Sequence, residues 1–502
     1  MNRSMDRRKF LLNSAGLAAA GGLASLLPVS LKPALASTTT TLTIDRRTIE
    51  VMGKAASVFG ILQPDGTSGI TLGPGDLFRV DLVNAAREDA IIHWHGQKPP
   101  YLQDGVADMN VSLIGGSGSR TYDYAPTPGT HWMHSHHGLQ EQALLAAPLV
   151  VRGADDVKAD AQEVTILLHD FSFRDPAEIL AGLTGGAAPG GHDMKGMSGM
   201  GDTGGMAGMD HSGMKMDMGS GGSAGDGMKM AMPDLNDVAY DAFLANDRTL
   251  DDPFVVQVER NGRVRLRLIN GAASSAFWID LGTLSGTLVA VDGTPVVPIV
   301  GTRFPMTMAQ RLDVMVEVPD GGAFPVFAQV EGKRDRTGFI LAAPDARVDR
   351  VSGTAESEAP PVDLSLEMKL RASNPLAERP ADTVLAMALT GAMSPYAWSI
   401  NDQVWPNVDR PVIKKGQRVV IEMRNRTMMA HPMHLHGHHF QVIELGGAAL
   451  AGAVRDTVLV PAMGAVKVAF DADNPGRWPL HCHNLYHMVT GMMTELVYDT
   501  FA

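Results

Sequence analysis

The sequence predicts an all-β protein of three related domains, because one strand pattern occurs three times along its 502 residues. The segments GDLFRVDLVN, GRVRLRLIN and GQRVVIEMRN begin at Gly75, Gly262 and Gly416. In each, a turn glycine precedes alternating apolar and polar residues, the pattern of a strand with one buried face. The length of the chain agrees with about three domains of ordinary size.

Two composition changes mark the predicted boundaries between these domains. GADDVKAD lies near residue 155, and the acidic, proline-containing SGTAESEAPP lies near residue 355. We therefore expect domains at 37–155, 156–355 and 356–502. Histidine-rich motifs follow the first and third copies of the strand pattern, whereas 274–280, after the second copy, has no histidine. A metal centre shared by the outer domains would require them to pack face to face.

The first 36 residues have the features of an export signal. A twin arginine, Arg7 and Arg8, precedes a Gly/Ala/Leu stretch that ends in Ala34-Leu35-Ala36. We expect a twin-arginine signal peptide at 1–36, cleaved after Ala36, with the twin-arginine export machinery as a partner and the periplasm as the destination. A retained membrane anchor is the alternative. A chain with one cysteine has no internal disulfide, even in an oxidising compartment.

The net charge of the chain limits the classes of molecule that it is expected to bind. The formal net charge is −13, and residues 1–36 carry five basic side chains and one acidic one, so the remainder carries −17. Such a field repels nucleic acid and anionic membranes and weakly concentrates cations. We expect no nucleic-acid partner, and we expect a monomer.

Four short motifs concentrate the metal-binding side chains. They are HWHG at 93–96, HWMHSHH at 131–137, HPMHLHG at 431–437 and HCHNLYHMVTGM at 481–492. A blue copper site needs a thiolate, two imidazoles and a weak axial thioether. Cys482, His487 and Met492 supply three of these in one motif, and His431 is the expected fourth.

The spacing within the motifs predicts a second kind of site. Alternate residues of a strand share a face, so His481 and His483 point one way and Cys482 the other. An electron on the Cys482 side then needs only the adjacent backbone to reach the two histidines. A lone H-x-H is more often a zinc site, a surface pair or a buried structural pair. Four pairs together with the only cysteine favour a cluster of three copper ions, and the pairs are His93/His95, His134/His136, His434/His436 and His481/His483.

The four motifs, in this order, resemble the copper motifs of the multicopper oxidases from about residue 75 to 495. The resemblance implies three cupredoxin-like domains, which are Greek-key β-sandwiches or barrels. It also implies four copper ions and the reduction of dioxygen to water. By this resemblance, the type 1 ligands are His431, Cys482, His487 and Met492, the type 2 ligands are His93 and His434, and the type 3 ligands are His95, His134, His136, His436, His481 and His483.

The resemblance also bears on proton transfer. Asp104 matches an acidic residue that relays protons near the type 2 copper in family members, and a structural aspartate is the alternative. Many members have another acid directly after the second type 1 histidine, where this chain has Met488. We expect structural roles for the other histidines, which are His131, His137, His169, His192, His211, His438 and His439.

Residues 191–232 form a methionine-rich tract. The tract holds eleven methionines, thirteen glycines and no aromatic residue. It has too little to bury to offset the entropy of ordering, so we expect a disordered or loosely helical insertion in the middle domain. Thioethers suit Cu(I), so we expect the tract to bind additional Cu(I). The alternatives are a low-complexity linker or a flexible apolar surface. The tract resembles the inserts of the periplasmic copper-resistance branch of the multicopper oxidases.

These features predict a periplasmic cuprous oxidase that detoxifies copper. An axial Met492 indicates a moderate potential, which suits an easy donor such as Cu(I). Met428 and Met429 precede His431 and offer soft contacts, although Thr427 beside them is not an acid. A laccase-like oxidase of phenols or chelating catechols is one alternative. A copper-sequestering protein, in which the methionine-rich tract carries the function, is the other.

Overall fold

The described residues form six β-sheets, two in each third of the chain. The computed structural model describes residues 39–109, 111–186 and 235–502, all within one compact unit, Thr39–Ala502. The predicted signal peptide at 1–36 and the methionine-rich tract at 191–232 lie outside the described residues, as do His192 and His211.

The first domain has eight strands and two short 3₁₀ helices, Tyr101–Gln103 and Ala107–Met109. The strands are β1 (Thr40–Val51), β2 (Lys54–Leu62), β3 (Ile70–Leu72), β4 (Phe78–Asn84), β5 (Ile92–His95), β6 (Ser119–Tyr124), β7 (Gly129–Ser135) and β8 (Ala146–Val151). They form two sheets, with the strand orders β2-β1-β4-β6 and β3-β8-β7-β5.

The middle domain has eleven strands in its described part and follows the short helix α1 (Ala154–Lys158). The strands are β9 (Gln162–Phe171), β10 (Ala242–Ala245), β11 (Phe254–Gln257), β12 (Arg263–Asn270), β13 (Phe277–Asp280), β14 (Gly286–Val291), β15 (Thr294–Gly301), β16 (Arg303–Met306), β17 (Arg311–Glu317), β18 (Ala323–Val330) and β19 (Arg336–Ala342). A second helix, α2 (Pro176–Leu183), follows β9. The strand orders are β10-β9-β12-β17-β14-β15 and β11-β19-β18-β13-β16.

The third domain has twelve strands and one helix, α3 (Leu485–Val489). The strands are β20 (Thr383–Met393), β21 (Tyr396–Ile400), β22 (Val412–Ile413), β23 (Arg418–Asn425), β24 (His431–Leu435), β25 (Phe440–Leu445), β26 (Ala448–Ala449), β27 (Val454–Arg455), β28 (Thr457–Val460), β29 (Ala465–Asp471), β30 (Arg477–Cys482) and β31 (Met493–Tyr498). One sheet has the order β21-β20-β23-β29-β25-β26 with β27 paired to β25, and the other has the order β22-β31-β30-β24-β28.

The three copies of the repeated sequence pattern occupy equivalent strands. They form β4, β12 and β23, and each pairs in parallel with the first strand of its domain, β1, β9 and β20. The predicted all-β fold of three related domains is therefore confirmed. Residue 155 lies in α1, and residue 355 lies in the connection between β19 and β20. The boundaries themselves stay predictions.

Each repeated strand ends in a buried asparagine that shapes the following loop. Asn84, Asn270 and Asn425 each accept, through the side-chain oxygen, the backbone N–H two residues later. Such a contact is an Asx turn. Their amide nitrogens donate to backbone carbonyls farther along the chain, as Asn425 does to Met429 at 2.6 Å. The repeat thus fixes the entry to each following segment, including the one that leads to His431.

The core of the third domain extends into its neighbours. Its hydrophobic cluster contains Cys482 and Met492, together with Tyr101 of the first domain and Ile179 and Leu180 of the middle domain. The last two residues come from α2, where Pro176 takes the first helical position and the Asp175 side chain accepts the Ala177 N–H. None of the described helices is long and apolar enough to cross a membrane.

A substitution at Gly437, directly after the third histidine pair, tests the packing around these motifs. Its φ is +64°, and a Cβ there would lie 2.3 Å from the Trp478 ring. Alanine in this backbone conformation costs roughly 1–2 kcal/mol, and overpacking adds about 1–3 kcal/mol. We expect Gly437→Ala to lower the thermal unfolding midpoint more than Gly446→Ala, whose glycine has φ +56° and open space around it. Equal midpoints in calorimetry of the two variants would contradict this packing argument.

Candidate metal centre

Cys482 lies with two histidines in the buried interior of the third domain. Its Sγ is 3.7 Å from Nδ1 of His431 and 3.6 Å from Nδ1 of His487, and these two nitrogens are 3.1 Å apart. We call these three residues the thiolate group. Met492 is also buried, and its backbone oxygen accepts the Cys482 N–H at 3.1 Å. The structure thus brings together the four residues expected for a blue copper site.

Strand register assembles the remaining pairs. In the first domain, β5 and β7 pair antiparallel with His93 opposite His134. In the third domain, β24 and β30 pair with His434 opposite His481 and Met433 opposite Cys482. Adjacent residues of β30 therefore serve two different groups, as strand alternation predicts.

The two half-sets meet at the contact between the first and third domains. The ring centroids of His95 and His434 are 3.8 Å apart, as are those of His93 and His436. Nε2 of His436 and Nε2 of His481 are 3.0 Å apart. We call the eight residues of this set the histidine cluster, and they are His93, His95, His134, His136, His434, His436, His481 and His483.

The free nitrogens of the cluster fit metal ligation. Buried polar atoms rarely lack a hydrogen-bond partner. Six ring nitrogens of the histidine cluster have no such partner among the described residues: Nε2 of His93, His134, His136, His434 and His483, and Nδ1 of His95. Several subsets, such as His136, His436 and His481, place one ligand atom of each residue within 4.8 Å of the others. This donor set suits copper, for which imidazole is a common ligand.

Burial keeps these imidazoles in the form that binds metal. Burial, and then the neighbouring histidines, lower the pKa of His134, His136 and His436 well below the usual range. The same causes lower the pKa of His481 to about 3. Burial raises the pKa of the Cys482 thiol. These four imidazoles are therefore neutral, whereas metal binding at Cys482 must displace a proton.

Where the first and third domains meet, two carboxylates contact the ring nitrogens that point away from the interior of the cluster. Oδ2 of Asp104, from the first domain, lies 2.8 Å from Nδ1 of His436, and its backbone oxygen lies 3.0 Å from Nδ1 of His93. Oδ1 of Asp456, from the third domain, accepts from Nε2 of His95 at 3.1 Å. Burial alone would raise the pKa of Asp456, but the Arg311 guanidinium holds it well below the usual range.

A third carboxylate contacts two other histidines of the cluster. Oε2 of Glu141 is 2.7 Å from Nδ1 of His134, and its Oε1 is 3.9 Å from Nδ1 of His483. Partners on the outward nitrogen fix the tautomer and the orientation of a ligand ring. The sequence predicted Asp104 near the cluster, whereas Glu141 and Asp456 were not expected there. Glu141 follows the HWMHSHH motif closely, and this was the only signal for it.

The thiolate group also has partners on its outward side. Oγ1 of Thr427 lies 2.8 Å from Nε2 of His431. Oδ2 of Asp237, from the middle domain, lies 3.0 Å from Nε2 of His487. The side chain of Asp237 is buried and accepts a hydrogen bond from Asn484 at 2.8 Å. Nothing in the sequence marked Asp237, which lies a few residues after the methionine-rich tract.

Three family profiles described as multicopper oxidase match residues 44–156, 201–342 and 378–501. Multicopper oxidase MmcO of Mycobacterium tuberculosis is 33% identical over 436 residues, which cover 84% of this chain and 80% of that protein. The chain belongs to the multicopper oxidase family. It is therefore a copper-dependent oxidoreductase. Members of this family use type 1, type 2 and type 3 copper. The predicted family membership and the predicted copper cofactor are confirmed.

Two further relatives and a solved structure are also similar to this chain. The copper resistance protein A homolog of Pseudomonas syringae pv. tomato is 26% identical and covers 92% of each chain. A laccase of Neurospora crassa is 24% identical, over 84% of this chain and 71% of that protein. The crystal structure of Fet3p, a multicopper oxidase that functions in iron import, superimposes with a TM-score of 0.72 at 18% identity, covering 92% of this chain and 90% of Fet3p. The last likeness concerns the fold alone.

Replacing Cys482 tests the thiolate group. We expect the copper-loaded protein to be blue, and Cys482→Ser to lose the colour and the turnover together, because a hydroxyl does not replace the soft thiolate. Absorption spectra and circular dichroism would show colour loss without loss of fold. An intense blue band that survives the substitution would contradict this assignment.

Replacing His434 tests the histidine cluster separately. We expect His434→Ala to lose the type 2 copper signal in paramagnetic resonance and to keep the blue band, because the thiolate group does not include His434. His438→Ala is the matched control: His438 is equally buried, but its ring nitrogens lie 3.1 Å from the His436 backbone oxygen and 2.8 Å from the Tyr498 hydroxyl. An undiminished type 2 signal in His434→Ala would mean that the predicted ligand is wrong.

Proposed function

We propose that this multicopper oxidase is a periplasmic cuprous oxidase that detoxifies copper. Four cuprous ions each lose one electron, and one dioxygen molecule takes four electrons and four protons to become two water molecules. One combination of features carries the proposal. The thiolate group is joined to the histidine cluster, and exposed methionines lie near His431 of the thiolate group.

The proposed ligand roles follow the resemblance and fit the geometry described above. His431, Cys482, His487 and Met492 hold type 1 copper, and His93 and His434 hold type 2 copper. The type 3 ligands are His95, His134, His136, His436, His481 and His483. Bound copper supplies one-electron oxidation of the donor at the first site and reduction of dioxygen at the cluster.

Cys482 provides the route between the two sites. Its neighbours His481 and His483 belong to the histidine cluster, so an electron crosses through the covalent bonds of adjacent residues. Asp104, which belongs to the first domain, contacts His93 and His436. These contacts support its proposed role in delivering protons to the cluster, where each dioxygen requires four.

The surface near the thiolate group favours a soft cation as the electron donor. Met428 and Met463 are 65% and 63% exposed, although methionine is usually buried. The Met463 N–H donates to the Thr427 backbone oxygen at 3.1 Å, and the Thr427 hydroxyl contacts His431. Exposed thioethers thus lie beside the residue that touches a proposed type 1 ligand. Thioethers bind Cu(I) without deprotonation, and the methionine-rich tract offers eleven more.

The proposed location rests on residues 1–36. Arg7 and Arg8 with the Ala34-Leu35-Ala36 end support export by the twin-arginine route, which delivers folded proteins to the periplasm. We further propose that the protein acts as a monomer. The similarity to the copper resistance protein A homolog of Pseudomonas syringae pv. tomato supports a role in copper tolerance.

A phenol is the second candidate donor. Oxidation of a phenol releases a proton, and the Asp237 carboxylate beside His487 is a base at the edge of the thiolate group. Oxygen uptake measured side by side with Cu(I) and with a phenol separates the two. Turnover with the phenol alone would reject the cuprous proposal, and copper binding without any oxygen uptake would favour the sequestering protein.

Deleting 191–232 tests the role of the methionine-rich tract. We expect the deletion to slow cuprous oxidation more than phenol oxidation, because the thioethers collect Cu(I) for the thiolate group. The matched control replaces its eleven methionines with leucine, which keeps the length and the apolar character of the tract. If thioethers are the cause, both variants lose cuprous turnover at equal copper loading. Unchanged Cu(I) kinetics and unchanged cellular copper tolerance would reduce the tract to a linker.

A further inference from the structure

Arg311 is a fully buried arginine of the middle domain that bridges all three domains. It lies at the start of β17 and is 0% exposed. Its Nη1 and Nη2 donate to Oδ1 and Oδ2 of Asp456, in the third domain, at 2.8 and 2.5 Å. Its Nε donates to the backbone oxygen of Thr130, in the first domain, at 3.1 Å. The middle domain therefore reaches both domains that carry the histidine cluster through one side chain.

Asp456 extends this contact to two histidines of the cluster. Its Oδ1 accepts from Nε2 of His95 at 3.1 Å, and its backbone oxygen lies 2.9 Å from Nδ1 of His434. The opposite nitrogens, Nδ1 of His95 and Nε2 of His434, are two of those without a partner within the described chain. The contacts of Asp456 thus determine which nitrogen of each ring faces the interior of the cluster.

Arg311 restricts the orientation of Asp456. Two parallel N–H bonds from one guanidinium fix both the position and the plane of a carboxylate, which a single ammonium does not. The guanidinium is itself supported by Asp292, whose Oδ1 lies 3.7 Å from Nη1 and accepts the Arg311 backbone N–H at 2.8 Å. Asp292 also accepts from Arg455 at 2.8 Å. The plane of the carboxylate that meets His95 is therefore set from the middle domain.

We propose that Arg311 is a positioning residue, through which the middle domain sets the orientation of His95 and His434 in the histidine cluster. The inference rests on the proposed copper-binding roles of these two histidines. It gives the middle domain a part in the cluster without a ligand of its own.

Two substitutions in the full-length, copper-loaded protein test this role. Arg311→Lys keeps the charge but removes the two-point grip on Asp456, and Arg311→Met also removes the charge. We expect type 2 copper to bind about 10- to 100-fold more weakly, the usual effect of losing an outer partner of a metal-binding histidine. The loss should be larger for Met than for Lys. Chelator titration followed by paramagnetic resonance measures it without reference to turnover.

The blue band provides an internal reference in the same samples. Among the described residues, no hydrogen bond or ion pair joins Arg311 to the thiolate group, so both variants should keep the blue band at wild-type intensity. Arg311→Met leaves Asp456 without its bidentate partner and is the variant at risk of not folding. Should it fail to fold, Arg311→Lys alone decides the outcome.

Arg267 offers a matched control on the neighbouring strand β12. It is also 0% exposed, and its Nη1 donates to Oγ1 of Thr130 at 2.8 Å and to Asp313 at 2.9 Å. It therefore shares the burial, the charge and the link to the first domain. Among the described residues, no hydrogen bond or ion pair joins Arg267 to Asp456, so Arg267→Lys should lower thermal stability and leave type 2 affinity at the wild-type value.

The possible results separate the inference from the proposed function. Wild-type type 2 affinity in folded Arg311→Lys would overturn the inference, as would an equal loss in Arg267→Lys, which would indicate domain packing in general. A wild-type protein without a blue band and without a type 2 signal would contradict the proposed function itself, and the inference with it. Selective loss in the Arg311 variants, with the blue band intact, supports both.

Discussion

The contact between the first and third domains is the constraint on which the metal centre depends. Each of these domains contributes two histidine pairs, brought together by antiparallel strand register. Neither half is sufficient for the cluster, because rings such as His95 and His434 meet only across the contact. A metal that binds only the assembled state stabilises that state by mass action. Copper binding and domain packing are therefore linked in this protein.

Buried charges hold that contact in register. Arg311, Arg455, Asp292 and Asp456 are all almost completely buried and bonded to one another. Burying isolated charges is costly, and removing one member of such a set leaves another uncompensated. An apolar contact would tolerate sliding, whereas a shift at this contact would separate Arg311 from Asp456 and leave both charges buried without their partner. Its geometry extends directly to the outward nitrogens of His95 and His434.

The two groups of the metal centre have different surroundings, which suits different tasks. The histidine cluster has carboxylates on its outward nitrogens, Asp104, Glu141 and Asp456, which orient the rings. The thiolate group has a neutral hydroxyl on one histidine and a single carboxylate, Asp237, on the other. The exposed Met428, next to Thr427, adds a soft thioether near the histidine that contacts the hydroxyl. The two groups therefore differ in the charge and the softness of the side chains around them.

The sequence by itself determined the features that depend on neighbouring residues. Strand alternation is local, so the H-C-H motif placed Cys482 and its flanking histidines in separate groups, and the repeated strand pattern predicted the three related domains. Tertiary structure decided the partners of the ligands. His95 and Asp456 are 361 positions apart, and Asp237 and Arg311 lie in the domain without histidine pairs. Their contacts arise from the packing of whole domains against each other, and no periodicity or spacing in the chain encodes that packing.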